Sequence, residues 1–260
     1  VGPPDLIDLV ADAGFASTGI RLHPAMPGGV AYPLGTGSAA LRQTQERLRA
    51  RGVRVLDIEV LRVDGQTDVA SFLPYIEAGA ALGASRLCVN GEDPELDRFT
   101  ETFAQLCALV KPYGMEVDLE FMVWRPVRTL EIAARIVRNA GCPNGKVLID
   151  ALHLQRSGGQ VEDVVRMDPA LIGALQLCDG PLAGPDPSDT AAILAEARAG
   201  RLPPLEGEFP LLELIRALPA DTPISVEVPM GPRTGYPDLA SRLAHIRGTA
   251  ERCLSIARPR

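Results

Sequence analysis

Four of the apolar, strand-like runs of this chain each contain a carboxylate or amide side chain late in the run. Within each run the branched apolar residues share one parity and the polar residue takes the other, so the polar side chain points to the opposite face. The residues identified in this way are Glu120, Asp150, Gln176 and Glu227. Carboxylates gathered in a dry site repel one another unless a proton, a basic partner or a bound cation offsets the repulsion. We therefore predict that these four residues bind one divalent metal ion.

The chemistry of this ligand set limits the choice of metal. Carboxylate and amide oxygens are hard ligands, so we expect Mn²⁺ or Mg²⁺, with Zn²⁺ or Co²⁺ as alternatives if His153 also coordinates. No lysine lies at the carboxyl end of a predicted strand, and the nearest arginines in the sequence are Arg21 and Arg125. The alternative for the same residues is a hydrogen-bonded network of carboxylates, amides and arginines without a metal.

A repeating βα framework must position these residues. Runs rich in Val, Ile and Leu recur at intervals of roughly thirty residues, and most are followed by a stretch with helical periodicity. The predicted strands are Ser17 to Leu22, Val53 to Val60, Arg86 to Asn90, Glu116 to Phe121, Lys146 to Asp150, Leu171 to Cys178 and Pro223 to Val228. The predicted helices are Pro4 to Ala13, Ser38 to Arg51, Val69 to Ala81, Pro94 to Val110, Val127 to Asn139, Ser188 to Ala199, Leu211 to Leu218 and Asp238 to Ile256.

The alternation predicts an α/β fold of the (β/α)₈ TIM-barrel type. Such barrels assemble their active sites at the carboxyl ends of the strands, where most of the polar residues fall, above an interior filled by apolar layers. The chain opens with a predicted helix that has no strand before it, so we expect the first strand to lie upstream of Val1. An open doubly wound sheet would call for a phosphate loop, and neither GxGxxG nor GxxxxGK[ST] occurs. Residues 1–260 are predicted to form a single barrel domain.

One connection of the predicted fold is unusually long. It spans about residues 180–209, contains many prolines and holds the predicted helix that ends at Ala199. Loops of this length in compact domains are commonly lids or binding loops, so a lid is predicted, with a disordered insertion as the alternative.

Composition excludes several classes of partner. The net charge of −7 argues against a nucleic-acid surface, which needs clustered Lys and Arg. Apolar runs are broken before the ~20 residues of a membrane span, and the first residues lack the features of a leader peptide. The five cysteines form no CxxC pair, which favours a reducing, cytoplasmic setting. We expect a small-molecule substrate, no nucleic acid and no membrane, and leave a homo-oligomer open.

Taken together, these motifs resemble those of the xylose isomerase-like barrels. The resemblance covers the chain after the missing first strand and rests on Glu120, Asp150-Ala-Leu-His153, Gln176-Leu-Cys-Asp179, Glu206-Gly-Glu208 and Glu227. This superfamily includes sugar and sugar-phosphate isomerases and epimerases, inosose dehydratase, 3-dehydroshikimate dehydratase and endonuclease IV. The resemblance implies the same four metal ligands. Ketohexose epimerases carry His where this chain has Gln176, whereas the dehydroshikimate dehydratases also place Gln there.

The resemblance implies chemistry beside a carbonyl group. We expect an isomerase or epimerase acting on a sugar or related polyhydroxy-carbonyl compound, in which glutamates on opposite sides of the metal exchange a proton. A dehydratase of the 3-dehydroshikimate or keto-inositol type is the alternative, with His153 protonating the departing hydroxyl. A non-catalytic binding barrel is the second alternative.

The remaining candidates are assigned by role. The predicted catalytic residues are Glu120, Glu227 and His153. The predicted substrate-binding residues are His23, Glu59, Asn90 and Arg156, each of which could instead serve in packing or ion pairing at the barrel mouth. In the long connection, Arg198 or Arg201 could meet a carboxylate or phosphate of the substrate.

Overall fold

The computed structural model describes residues 1–24, 28–231 and 235–259. The chain forms two compact units. Unit 1 comprises Val1–Glu120 and Arg135–Lys146, and unit 2 comprises Phe121–Ala134 and Val147–Arg260.

All of the predicted strands are present, in one parallel sheet whose order follows the sequence. They are β1 Ser17–Arg21, β2 Arg54–Val63, β3 Arg86–Gly91, β4 Glu116–Glu120, β5 Gly145–Asp150, β6 Ile172–Leu177 and β7 Ile224–Val226. The runs of β-branched and leucine residues explain this agreement, because they suit strands buried on both faces of a parallel sheet. The largest difference is in β2, which continues to Val63, past the predicted end at Val60. The α/β fold class is confirmed.

The helices alternate with these strands along the chain. They are α1 Pro3–Asp12, α2 Ala39–Arg51, α3 Leu73–Ala81, α4 Leu96–Val110, α5 Leu130–Ala140, α6 Ala151–Arg156, α7 Val161–Arg166, α8 Thr190–Ala199, α9 Leu211–Ala217 and α10 Leu239–Ala257. Short 3₁₀ turns lie at Val69–Phe72, Lys111–Tyr113 and Pro169–Leu171. Sequence analysis did not predict α6 and α7, because six residues are too few to show helical periodicity.

The interior of unit 1 contains a buried ion pair as well as apolar side chains. Phe99 and Phe103 of α4 are fully buried, as expected for an amphipathic helix packed on a sheet. Arg86 of β3, however, donates from Nε and Nη2 to the two carboxylate oxygens of Asp118 in β4, at 2.5 and 2.6 Å. Both side chains are buried. At this level of the sheet a buried ion pair therefore lies among the apolar layers.

None of the helices in the described part of the chain combines the length and the apolar character that crossing a membrane requires.

Candidate metal centre

Glu120 of unit 1 is the last residue of β4 and lies opposite Asn90 in the register of β3 and β4. Asn90 Nδ2 donates a hydrogen bond to Glu120 Oε2 at 2.9 Å, and Cys88 Sγ lies 3.7 Å from the same oxygen. All three residues are buried. Burial, and after it the Glu120 charge, raise the pKa of Cys88 well above its usual value, so its thiol stays protonated. Asn90, predicted to bind substrate, thus holds one oxygen of Glu120.

Glu59 of unit 1 lies on β2 and pairs with Arg21, the last residue of β1. Arg21 Nη2 donates to Glu59 Oε2 at 3.1 Å, and both side chains are partly exposed. The side chains of Asp57 and Glu59 approach the backbone of Gly19, where an added Cβ would lie 2.3 Å from Asp57 Oδ1 and 2.9 Å from Glu59 Oε1. Glycine at this position therefore makes room for both carboxylates.

His23 of unit 1 follows β1 and packs against two aromatic rings. Its imidazole lies edge-on to Tyr75 and to Phe72, with ring centroids 5.0 and 6.0 Å apart. Its Nδ1 is buried, and no described residue forms a hydrogen bond with it. A buried nitrogen without a protein partner is suited to a ligand oxygen.

Asp150 and His153 of unit 2 are brought together by the start of α6. Asp150 is the N-cap of this helix, and its Oδ1 accepts a hydrogen bond from the backbone N–H of His153 at 2.9 Å. Both side chains are buried, and a carboxylate oxygen of Asp150 lies within 4.8 Å of a ring nitrogen of His153. The three-residue spacing of this pair is therefore that of a helix cap, which leaves Asp150 Oδ2 for another partner.

Burial lowers the pKa of His153 to about 4, and Arg201 acts in the same direction while Asp150 opposes it. The imidazole is therefore neutral at neutral pH, the form that binds metals and accepts hydrogen bonds. The ring of Trp124 lies edge-on to it, with centroids 5.1 Å apart. Trp124 is the only tryptophan of the chain, so its fluorescence reports on this place.

Gln176 of β6 lies opposite Asp150 of β5 in the sheet register. Its side chain is buried, and no described residue donates a hydrogen bond to its Oε1. An amide oxygen buried without a donor is unfavourable by about 1–3 kcal/mol, so such atoms ordinarily have a partner that is not part of the chain. A cation is a suitable partner for this oxygen because the oxygen can bind it directly, without a hydrogen-bond donor.

Glu227 directly follows β7, and its backbone N–H donates to the carbonyl of Leu177 in β6 at 3.0 Å. Its side chain is 31% exposed, more open than those of Asp150 and Gln176. Its Oε2 lies 3.3 Å from Arg201 Nη1. Glu227 is thus the predicted ligand of unit 2 that solvent and small molecules reach most easily.

Arg201, named with Arg198 as a residue that could meet a substrate from the long connection, contacts the predicted metal ligands of unit 2. It is 3% exposed, and its Nη1 donates to Asp150 Oδ2 at 2.5 Å. Its Nη2 lies 3.4 Å from His153 Nε2, and its Nε donates to the carbonyl of Ala197 at 3.0 Å. Arg201 therefore joins three of the predicted site residues of unit 2: Asp150, His153 and Glu227.

The charges of Arg201 and Asp150 stabilise each other. Burial would lower the pKa of Arg201, but Asp150 and Glu227 raise it well above its usual value. Burial would likewise raise the pKa of Asp150, but Arg201 and His153 hold it below its usual value. Both groups are therefore charged at neutral pH.

Arg156, predicted to bind substrate, is engaged elsewhere in unit 2. It donates from Nε and Nη2 to the two carboxylate oxygens of Glu196 in α8, at 2.7 and 2.6 Å, and its side chain is 6% exposed. It also donates to the carbonyl of Pro181 at 2.8 Å, and its guanidinium lies over the Phe209 ring. These contacts fasten the predicted lid segment to α6.

The donor set of unit 2 fits a divalent cation. It offers carboxylate oxygens of Asp150 and Glu227, the amide oxygen of Gln176 and a neutral imidazole, which are the ligand types that Mg²⁺, Mn²⁺ and Zn²⁺ accept. The buried Oε1 of Gln176 is the observation that favours a cation over a network closed by the chain alone.

Several solved structures have the same fold at low sequence identity. A zinc-containing IolI protein has a TM-score of 0.78 and 18% identity over 98% of this chain and 94% of its own. D-psicose 3-epimerase, solved in the presence of D-fructose, has a TM-score of 0.73 and 15% identity over 99% and 94%. The probable 3-DHS dehydratase AsbF of Bacillus anthracis has a TM-score of 0.70 and 14% identity over 100% and 95%.

A longer protein also contains this fold. It is a fusion of a xylose isomerase-like TIM barrel with 4-hydroxyphenylpyruvate dioxygenase, with a TM-score of 0.78 and 18% identity. The chain spans 41% of that protein's length. No curated protein sequence matches the chain significantly.

The sequence model described as "Xylose isomerase-like TIM barrel" matches residues 7–246. This range includes every predicted site residue, and the resemblance inferred from the sequence motifs is confirmed. The chain belongs to the xylose isomerase-like TIM-barrel family.

Proposed function

We propose that this protein is a divalent-metal-dependent isomerase or epimerase that moves a proton beside the carbonyl of a sugar or related polyhydroxy compound. The observation that carries the proposal is the buried Gln176 Oε1, which has no hydrogen-bond donor among the described residues and lies in register with Asp150. We assign Glu120, Asp150, Gln176 and Glu227 as the metal ligands, with Mn²⁺ or Mg²⁺ as the expected ion and Zn²⁺ or Co²⁺ as alternatives. Among the structural relatives, the IolI protein is described with bound zinc, and D-psicose 3-epimerase is described as an epimerase.

When bound, the metal would hold adjacent carbonyl and hydroxyl oxygens of the substrate and stabilise the negative charge that develops as the proton leaves. Glu227 has a partly exposed carboxylate, so it is the candidate to take the proton from the carbon beside the carbonyl. Glu120 would return a proton to the substrate, and Asn90 orients it by binding its Oε2. Proton removal and return leave no net change in atoms, as an isomerisation requires.

Two further side chains of unit 1 are proposed to bind substrate oxygens. His23 offers a buried Nδ1 without a described partner, and Glu59 presents a partly exposed carboxylate beside Arg21. Arg156 was also predicted in this role; its ion pair with Glu196 supports a contribution through the position of the 181–209 connection.

A dehydratase is the second candidate, favoured by one specific residue. Gln176 replaces the histidine expected in ketohexose epimerases, and a Gln-Leu-x-Asp segment resembles the dehydroshikimate dehydratases. AsbF, described as a probable dehydratase, has the same fold. In this reaction a base removes the proton, the hydroxyl on the neighbouring carbon leaves with a second proton, and water and a conjugated double bond are formed.

Metal analysis tests the shared part of both candidates. The purified protein is expected to hold about one equivalent of Mn, Mg, Zn or Co, and Glu227→Gln is expected to reduce this content. Glu213→Gln is the matched control, because Glu213 is an exposed glutamate of α9. A native preparation that neither contains nor binds any of these metals would overturn the proposal and support a binding barrel.

Reactions in D₂O distinguish the two chemistries. Ketoses, keto-inositols and dehydroshikimate are the substrates to screen. An isomerase incorporates deuterium beside the carbonyl and forms no new ultraviolet absorber, whereas a dehydratase forms a conjugated absorber. Either activity must disappear with chelator and return with metal. Glu120→Gln is expected to abolish turnover, with the exposed Glu101→Gln of α4 as its control.

A further inference from the structure

We propose that Arg201 is a built-in counter-cation that occupies the metal-binding carboxylates of unit 2 until the metal enters, so that removing it strengthens metal binding. The inference rests on the proposed metal site. It adds a residue that sets the affinity of that site and keeps the site assembled when no metal is bound.

Arg201 contacts the Asp150 oxygen that a metal ion would use. Asp150 Oδ1 is already used by the N–H of His153 at the start of α6, so Oδ2 is the atom left for a cation. Arg201 Nη1 lies 2.5 Å from this Oδ2 and 3.3 Å from Glu227 Oε2. One guanidinium nitrogen thus lies between the two carboxylates that the metal would need.

The residues on both sides of Arg201 form backbone β-bridges. Gly200 forms a β-bridge with Met230, and Leu202 forms one with Asp179 at the end of β6. Leu202 and Asp179 exchange both backbone hydrogen bonds, at 2.8 and 2.9 Å. Arg201 lies between these two bridges, so its place in the cluster is fixed by the fold and does not depend on a flexible side chain at the surface.

Removal of the Arg201 charge should strengthen metal binding and not weaken it. A residue that hydrogen-bonds to a metal-binding side chain from outside the coordination sphere usually strengthens metal binding. It does so by accepting a proton from that side chain or by raising its basicity. A guanidinium does the opposite, because it has no lone pair and its positive charge repels a dication that shares the same oxygens. Without Arg201, Asp150 and Glu227 also lose their counter-charge in the metal-free protein, which raises the free energy of that state.

The test compares metal affinity in variants of the whole protein. Arg201→Met keeps the length of the side chain and removes the charge, and Arg201→Lys retains the charge. Arg216→Met is the control: Arg216 is also an arginine of unit 2, but it contacts Glu213 and the carbonyl of Ala257. Mn²⁺ binding is measured by calorimetry and by the fluorescence of Trp124, which lies against His153.

We expect Arg201→Met to bind Mn²⁺ about tenfold more tightly than the wild type, or more, because a repelling charge a few ångströms from the ion is removed. Arg201→Lys should restore an affinity close to wild type, and Arg216→Met should leave the affinity unchanged. If Arg201→Met is poorly folded without metal, its melting temperature should rise more on addition of Mn²⁺ than that of the wild type.

Two results would count against different claims. Equal or weaker Mn²⁺ binding by Arg201→Met, together with an equal or smaller thermal shift, would overturn the role of Arg201 while leaving the metal site standing. Failure of both the wild type and Arg201→Met to bind Mn²⁺, Mg²⁺, Zn²⁺ or Co²⁺ would overturn the metal site itself.

Discussion

Replacing Asp179 by asparagine should loosen the connection that carries Arg201. Asp179 is buried at the end of β6, and its carboxylate accepts backbone N–H groups from three places in that connection. Oδ1 accepts from Gly180 at 2.8 Å and from Phe209 at 3.0 Å, and Oδ2 accepts from Leu205 at 2.9 Å. The carboxylate therefore organises residues 202–209 in place of regular secondary structure.

The cost of Asp179→Asn follows from this geometry. Asparagine keeps one acceptor oxygen, which can still serve Gly180 and Phe209, but its NH₂ group then faces the N–H of Leu205. One hydrogen bond to a charged group is lost and one backbone donor remains unsatisfied, which together destabilise the protein by about 3 kcal/mol. Turning the amide over is worse, because two backbone donors would then face the NH₂ group.

Denaturant unfolding and amide hydrogen exchange measure this effect. We expect the Leu205 amide to exchange faster in the variant, while the amides of Gly180 and Phe209 stay protected. Asp189→Asn is the control in the same connection, because Asp189 caps α8 and asparagine caps helices about as well as aspartate. A stability loss below about 1 kcal/mol, or equal acceleration at all three amides, would refute the reasoning.

Three further predictions concern unit 1 and the thiols. Asp118→Asn breaks a buried ion pair and leaves Arg86 with only the partly exposed Glu116 as its counter-charge, so it should lower the free energy of unfolding by about 3 kcal/mol in urea titrations, and a loss below about 1 kcal/mol would contradict this. Asn90→Ala removes the donor to Glu120 and should lower metal-dependent kcat/KM by about 10–100-fold with little change in the far-ultraviolet CD spectrum; unchanged kinetics would argue against this orienting role. Burial raises the pKa of Cys253 to about 11, and of the cysteines only Cys142 is partly exposed in the structure, so Ellman's reagent at pH 8 should label Cys142 first; labelling of Cys253 before Cys142 would contradict this.

The strands could be predicted from the sequence because their signal is local. Each contains a dense run of branched apolar residues, and a polar residue of opposite parity marks its carboxyl end, as Glu120 and Asp150 do. The helices α6 and α7 escaped prediction because each has only six residues. Helix α6 begins instead from a side-chain cap, and the Asp150 to His153 spacing that defines this cap was read only as a chemical motif.

The ion-pair partner of a residue on a neighbouring strand was harder to predict than the face of the sheet on which that residue lies. Alternation predicts that Asp118 lies on the opposite face from Val117 and Leu119, but it does not say what balances its charge. The partner, Arg86, is on the neighbouring strand and lies 32 positions earlier in the chain. Pairing of this kind depends on strand register, which is set by the connections between strands as well as by the apolar pattern.

Charge alone could not predict that Arg201 is the partner of Asp150. The carboxylates identified in the sequence require a positive partner, and a metal ion and an arginine both satisfy that requirement. Asp150 meets its arginine across 51 positions, from a segment held by backbone bridges that leave no periodic trace in the sequence. The two solutions differ at Gln176, because a guanidinium bound to Asp150 and Glu227 does nothing for the buried Oε1 of the amide. That oxygen favours a metal in addition to Arg201, and it is why metal affinity in Arg201 variants can separate the two cations.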